Sequence, residues 1–350
     1  VHKPDLHRAM AGEVLAAMQL FDPDLHNRSY LARFAVDALE GMWAVSLQGV
    51  LSHDLIRAAS LAMAKLGRAL DTSAESASIV ALTVVPKHVG ARHEPREPRM
   101  VVDFGDRLVF EKPIGWEVDD EGHKSSGSSL SAFLQSLLPS RRWPLSRDAK
   151  FQCGFLHRLD VPVSGLVLAA KTYRAYLDLQ VQVHSGAFVM DYTALCHGWA
   201  SPRHHEIRGR MRKKAAEGGC VPSEVACQGA RRSRTCLKVL AHASRGGEAF
   251  SLVAVRTSKG QTQQICLHFA HVGHPITCDP KFGALATHLS DLGWARQPCL
   301  HRHRLAFRDV AGALQAAAVA PPPGLSAALA RLLPRPGKSA AALSLGPKGL

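Results

Sequence analysis

The chain has 350 residues, 46% hydrophobic and 21% charged, enough for one large domain or two ordinary ones with a real core. The formal net charge of +14 favours a polyanionic partner, nucleic acid before membrane. No apolar run approaches the roughly 18 to 20 residues that a membrane span needs. Eight cysteines without C-x-x-C spacing argue against a zinc ribbon and favour reduced thiols in an intracellular, reducing compartment.

The first part of the chain has the pattern of amphipathic helices. Apolar side chains recur at three- and four-residue spacing across 7–70, and Ser52-His53-Asp54 is a helix start signal. We therefore predict a helical segment over 1–85. Its stretch 37–70 resembles one unit of the helical-repeat arrays of organellar RNA-binding proteins, while a non-specific helical appendage is the alternative reading, since repeat identification needs several copies.

The chain opens with Val1 and runs directly into this helical pattern, which favours a piece of a longer polypeptide. Only the repeat-like stretch points to an organelle, mitochondrion or plastid, so the compartment stays open. A Pro- and charge-rich string over 86–99 predicts a linker.

From Met100 onwards, short β-type runs mix with helical stretches. The pattern predicts strands at 100–104, 107–111, 165–170, 187–196, 235–241 and 249–256, and helices at 129–138, 173–184 and 264–272. We interpret 100–335 as one α+β domain built on a mixed or antiparallel sheet. The segments 118–128 and 201–234 are predicted to be loops, and 336–350 a flexible tail.

Half of the net charge lies in one insertion. Residues 201–240 contain ten Lys or Arg and three Glu, a net charge of +7. The basic stretches 203–214 and 231–234 therefore predict a contact with RNA, and a solvated, flexible loop is the alternative.

One acidic side chain lies between two apolar, strand-like runs. The sequence GFLHRLD at 154–160 precedes SGLVLAAK at 164–171, with a Ser-Gly turn expected between the runs. Burying Asp160 alone is costly, so it needs a partner, a cleft or water. Taken alone, Arg158 and Asp160 favour a structural ion pair; a functional carboxylate at the mouth of a sheet is the alternative.

Four separated blocks in one order resemble the RluA-like family of RNA pseudouridine synthases, and together with the closing strand they span roughly 100–335. They are LVFEKPIGW at 108–116, the HRLD block at 157–171, MDYTALCHG at 190–198 and KGQTQQICLHFAHVGHPITCDPKFG at 259–283, followed by the closing strand LHRHRLAF at 300–307. The resemblance implies a pseudouridine-synthase α+β domain with a central cleft, an enzyme that isomerises uridine in RNA, and neither metal nor organic cofactor.

The resemblance also assigns roles to residues. Asp160 would be the catalytic carboxylate, and Arg158, two residues earlier on an extended segment, would help hold the target nucleotide out of the stack. The ring of Tyr192 would pack against the flipped base. His157 is expected to position other groups rather than act as a base. Lys112 is expected either to touch the RNA backbone or to be merely solvated.

The fourth block departs from the family pattern. The family's two arginines fall on Gln261 and Cys266, and its histidine falls on Gln263. In the family a basic residue of this motif pairs with the catalytic aspartate. Gln261 brings a hydrogen bond without a charge, and the sequence leaves open whether Lys259 or Arg256 reaches Asp160 instead.

These departures leave two functions open: a pseudouridine synthase acting on an rRNA or tRNA stem-loop, most simply as a monomer, or a catalytically degenerate RNA-binding or assembly factor. A metal-dependent hydrolase fits poorly, because the histidines lack the i, i+4 spacing with an intervening Glu.

Overall fold

The computed structural model describes residues 3–23, 28–47, 51–72, 97–118, 128–213, 220–222, 231–261 and 263–336, together with 339 and 343. Within these residues the helices are α1 Lys3–Gln19, α2 Arg28–Leu47, α3 His53–Asp71, α4 Leu130–Leu137, α5 Tyr173–Ser185, α6 Gln264–His271, α7 Leu285–Leu292 and α8 Pro323–Ala330. The strands are β1 Arg99–Asp103, β2 Arg107–Lys112, β3 Ser164–Ala170, β4 Val189–His197, β5 Glu206–Lys213, β6 Cys220–Pro222, β7 Arg231–Arg245, β8 Glu248–Thr257, β9 Leu300–Arg308, β10 Leu314–Ala318 and β11 Leu333–Pro334.

These strands form one mixed sheet. The order is β1-β2-β3-β9-β4-β8-β7-β5-β6, with β10 added to β9 and β11 to β7. Neighbours are antiparallel except β3 and β9, which run parallel over a short register, Ser164↔His301 and Gly165↔Arg302. The predicted α+β class with a mixed sheet is thus confirmed.

The parallel contact between β3 and β9 depends on a glycine. Gly165 has a φ of +128°, and a Cβ atom there would collide with the backbone of Arg302. Since only glycine adopts this conformation readily and leaves this space, it lets the backbone of β9 lie directly against the start of β3. The expected Ser-Gly turn is therefore wrong: Ser164 and Gly165 are the first residues of a strand.

The N-terminal helices pack on the sheet domain through α5. Ser52 caps α3, its Oγ accepting a hydrogen bond from the Leu55 N–H at 3.1 Å, as the start signal predicts. At the other end of α3, the Asp71 carboxylate accepts hydrogen bonds from the N–H groups of Tyr173 (2.9 Å) and Arg174 (3.0 Å). Gly67 lies so close to the Arg174 backbone that a Cβ would clash. Side chains of α2 and α3 share one hydrophobic core with the sheet.

The predicted boundaries at 85, 99 and 335 remain predictions, because 73–96 and most of 337–350 lie outside the described residues. The same holds for most of the loop predicted at 118–128. Strand β1 begins at Arg99, the last residue of the predicted linker.

The predicted loop at 201–234 is wrong over much of its length. Strands β5 and β6 and the first residues of β7 form an antiparallel arm at the edge of the sheet. In β5, Ile207 and Met211 are buried whereas Arg208 is exposed. This alternation has the period of two expected of a half-buried strand, and the high Arg and Gly content concealed it.

No described helix is long and apolar enough to cross a membrane. Within the same residues, no group of three or more His, Cys, Asp or Glu side chains is arranged to hold a metal ion.

Candidate active site

A small cavity lies where β4 and β9 meet the loop after residue 156 and the start of α6. Its volume is about 40 Å³. Five of the six predicted site residues line it, namely His157, Arg158, Asp160, Tyr192 and Gln261. The structure therefore brings together residues from three separated sequence blocks, while Lys112 lies behind the cavity wall.

Asp160 is half-buried and is held from the α6 side. Its Oδ2 accepts a hydrogen bond from the backbone N–H of Gln263 at 3.2 Å. Gln263 precedes the first turn of α6 and has a left-handed φ of 59°, which turns its N–H out of the helix. A helix N-terminus carries partial positive charge, so this contact favours the ionised carboxylate.

Burial and charge act in opposite directions on Asp160. Burial raises the pKa of its carboxyl, and this effect is opposed by the Gln263 N–H and then by the positive charges of Arg302, Lys112 and Arg158. Burial outweighs these contributions, so the pKa of Asp160 stays above its usual value although three cations face it.

Tyr192 is fixed by Arg302. The Tyr192 hydroxyl oxygen accepts hydrogen bonds from Nε (2.9 Å) and Nη2 (2.6 Å) of Arg302, whose guanidinium carbon lies 4.9 Å from the centre of the tyrosine ring. Only 4% of Tyr192 and 2% of Arg302 is exposed. Both bonds use the oxygen lone pairs, and the phenol proton is donated to the sulfur of Met190 at 4.0 Å.

The same guanidinium determines the protonation of His157. Nη1 of Arg302 lies 3.0 Å from Nδ1 of His157. Arginine only donates, so Nδ1 must be the acceptor and the proton of the neutral ring lies on Nε2. Burial and the charge of Arg302 lower the pKa of His157 well below its usual value. A buried, neutral His157 supports the positioning role.

Lys112 is buried rather than solvated. Its ammonium donates to the carbonyls of Pro113 (3.0 Å), Trp116 (2.8 Å) and Val161 (3.3 Å). Burial lowers its pKa to about 7. The expectation of a solvated or RNA-contacting side chain is wrong, because Lys112 is 0% exposed. Its hydrogen bonds instead tie the loop that carries Asp160 to the end of β2.

The residues expected to assist Asp160 point elsewhere. Gln261 Nε2 donates to the Arg232 carbonyl at 3.4 Å. Arg256 pairs with Asp191 (2.6 Å), and Lys259 lies 3.3 Å from Glu40. Neither Lys259 nor Arg256 therefore supplies the charge. The expected extended segment at Arg158 is wrong, because this residue lies in an irregular loop and is exposed.

Three contributors to the site were missed. Arg302 was noted only as part of the closing strand, although two basic residues inside a predicted internal strand were a usable signal. The N–H of Gln263 acts through its backbone, which no side-chain pattern reveals. Thr257 lines the cavity with a buried hydroxyl that has no hydrogen-bond partner among the described residues.

Comparison with known proteins gives the class of this domain. Residues 106–271 match the family model described as RNA pseudouridylate synthase. This segment, which carries the Asp160 loop and Tyr192, is therefore similar to the RNA pseudouridylate synthase family.

Named relatives agree with the class. The chain is 30% identical over 178 residues to ribosomal large subunit pseudouridine synthase C of Yersinia pestis, covering 50% of each protein. It is 30% identical over 218 residues to the protein of that name from Haemophilus ducreyi, covering 61% of this chain and 62% of the relative. The chain thus spans about half to three fifths of these relatives' length. Among solved structures, human RNA pseudouridylate synthase domain containing 1 aligns over 75% of this chain and 99% of its own, at 20% identity and a TM-score of 0.49.

Proposed function

We propose that this protein isomerises uridine to pseudouridine in structured RNA, with Asp160 as the catalytic carboxylate. The observation that carries the proposal is that Asp160 and Tyr192 line one cavity with Arg158 and Arg302, inside a segment that matches the pseudouridylate synthase family model. The relatives named as ribosomal enzymes make rRNA the first substrate to test, with tRNA second.

The chemistry needs an ionised carboxylate beside the sugar. The N1–C1′ bond breaks, a C1′–C5 bond forms, the proton leaves C5, and N1 gains one, so the reaction balances without a co-reactant. Asp160 can attack C1′ or take a proton from the sugar, and both steps require the ionised form. The Tyr192 ring offers a flat face for the base, and its hydroxyl proton is held only by the weak acceptor Met190 Sδ at 4.0 Å.

The cavity must open to admit a base. About 40 Å³ accommodates roughly three water molecules, whereas ligand pockets typically span about 300–1,000 Å³. A nucleotide flipped out of an RNA stem would have to separate the Gln261 and Gln263 side from Tyr192.

The arm formed by β5, β6 and the start of β7 supports RNA binding. Arg208, Arg232 and Arg234 are exposed on it, and the Gln261 side chain at the cavity bonds to the Arg232 carbonyl. Cationic side chains therefore lead from the edge of the sheet to the cavity, an arrangement suited to an RNA backbone.

Pseudouridine mapping tests the function. RNA from cells that lack the protein should lose at least one pseudouridine site. Re-expression of the wild type should restore it, and Asp160→Ala or Asp160→Asn should not. Modification that persists without the protein, with a growth or ribosome-assembly defect rescued by Asp160→Ala, would instead identify a binding or assembly factor.

A further inference from the structure

At one position of the cavity wall, a cysteine stands where the fourth sequence block of the resembled family has an arginine. Cys266, on the first turn of α6, lines the cavity and is 7% exposed. Burial and the neighbouring carboxylates of Asp279 and Asp160 raise the pKa of its thiol well above the usual value, so the side chain is neutral. The cation that balances Asp160 must come from another element.

Arg302 is a buried cation whose direct partners are all neutral. Within the described residues its five hydrogen bonds go to the Tyr192 hydroxyl (two), to His157 Nδ1, and to the carbonyls of Leu166 (3.0 Å) and Arg158 (3.4 Å). Within the described residues it forms no ion pair. A charge removed from water needs a counter-charge, and Asp160, two residues beyond the Arg158 carbonyl, is the carboxylate that faces it across the cavity.

The backbone is built to aim Arg302 into this space. Between β4 and β9 the register shifts, because Asp191 pairs with Arg304 while Tyr192 pairs with Arg302. His303 is therefore an extra residue in β9, and the bulge turns Arg302 to the Tyr192 side and Arg304 to the Asp191 side. Gly165 fixes the other side of the same strand by allowing its backbone to approach.

The other charged groups facing Asp160 are weaker candidates. Arg158 lies in the same loop but is exposed to solvent, which screens its charge. Lys112 is tied by three carbonyls and, with a pKa of about 7, is only partly charged at neutral pH. Arginine remains charged at every accessible pH. Cys266 and His157, which complete the wall, are neutral.

We infer that Arg302, reaching the site from β9, is the positioning residue that supplies the counter-charge of Asp160 in place of the motif position occupied by Cys266. It acts through Asp160, Tyr192 and His157 without touching the reacting atoms. The effect of Arg302 on catalysis rests on the proposed function. Its effect on the ionisation of Asp160 is a property of the folded protein and can be measured without RNA.

The test follows the ionisation of Asp160. In protein labelled with ¹³C at aspartate Cγ, the Asp160 resonance is assigned by its loss in Asp160→Asn and titrated with pH. Arg302→Gln should move its midpoint up by about one pH unit, the lower end of the effect of a nearby cation. Arg302→Lys keeps a charge and should move it less. The double variant Cys266→Arg/Arg302→Met should return the midpoint towards the wild-type value.

Arg304→Gln is the matched control, since it removes the same charge from the same strand on the Asp191 side and should leave Asp160 unchanged. An unchanged midpoint in folded Arg302→Gln would overturn the inference. If that variant does not fold, Cys266→Arg alone is compared with the double variant: a higher midpoint in the double variant supports Arg302, and equal midpoints refute it.

Turnover gives a second, separable readout. The acid limb of the pH–rate profile for pseudouridine formation should move with the Asp160 midpoint in each variant. A wild-type protein that forms no pseudouridine at its mapped site would refute the proposed function, while the titration would still decide the role of Arg302.

Discussion

Two sets of positive charges lie on either side of Gln261. The interior set, Arg302 and Lys112, is buried and hydrogen-bonded to fixed partners. The arm set is exposed, and Arg208 and Arg234 share one carboxylate, Glu206, at 2.6 and 2.7 Å. A buried charge acts strongly on one neighbour and is hardly screened, whereas exposed charges act together and weaken with salt. The same residue types thus serve two purposes, determined by their burial.

The largest effect is expected from the buried Lys112. Its pKa is about 7 in the folded state against 10.5 for the ordinary side chain. Between these values the unfolded chain holds a proton that the folded protein has released, so the free energy of unfolding should rise as pH increases from 7 to 10.5. Below pH 7 both states are protonated and the burial penalty is fully present.

The gain should be on the order of 2–4 kcal/mol, measured by urea denaturation across that pH range. Lys112→Met, which has no ammonium, should lack this rise. If the free energy of unfolding depends on pH in the same way in both proteins, Lys112 keeps an ordinary pKa.

The exposed set should give the next effect. Replacing Arg208, Arg232 and Arg234 by Gln should weaken RNA binding about 10- to 100-fold at low salt and reduce the salt slope by roughly two to three units. Asp160 should titrate as in the wild type. Binding measured by filter retention from 50 to 200 mM salt checks both points.

A matched triple variant separates position from net charge. Arg57, Lys65 and Arg68 are exposed on α3, and their replacement by Gln removes the same charge. An equal loss of affinity in this variant would refute the assignment of RNA binding to the arm.

The hydroxyl of Thr257 tests whether the cavity wall donates or accepts a hydrogen bond with the substrate. The Thr257 hydroxyl has no partner among the described residues. Thr257→Val should lower the single-turnover rate about tenfold, because a hydrogen bond to substrate is lost, without lowering the thermal midpoint. Thr235 is the control: its Oγ1 bonds to Gln264 Nε2 and His268 Nδ1, both at 2.9 Å, so Thr235→Val should cost about 1–3 kcal/mol of stability. A thermal midpoint that falls equally in both variants would make Thr257 structural.

The smallest effect concerns the joint between the helices and the sheet domain. Asp71→Ala removes both hydrogen bonds to the start of α5 and should cost about 1 kcal/mol. Asp71→Asn keeps one acceptor and should cost less. Loss of helical and sheet signals at one shared denaturant midpoint would show one cooperative unit. Separate midpoints would favour an independent helical segment.

Much of the fold followed from the sequence because apolar periodicity reports burial directly. Strand β3, apolar throughout after its first residues, and helix α5, with its regular spacing, were both predicted within about two residues. The arm was missed because its exposed face is so rich in arginine that Ile207 and Met211 were overlooked.

The site was predictable only where its motif is local. Asp160 and Tyr192 were identified through their blocks, but the counter-charge was sought within the same block. Arg302 reaches Asp160 through a bulge and a glycine contact between strands far apart in sequence. Sequence motifs do not reveal which residues of distant strands lie side by side. The counter-charge of Asp160 could therefore not be found from the sequence.

The contact at Gly165 also has a consequence for biosynthesis. The Arg302 guanidinium and the Arg158 carbonyl are 144 residues apart in the chain. While the ribosome makes this protein, the loop of Asp160 emerges long before β9 can be inserted beside β3. A nascent or truncated chain ending before β9 would therefore expose Asp160 without the charge of Arg302. Such long-range closure is slow relative to helix formation, so the site would be completed among the last events of folding.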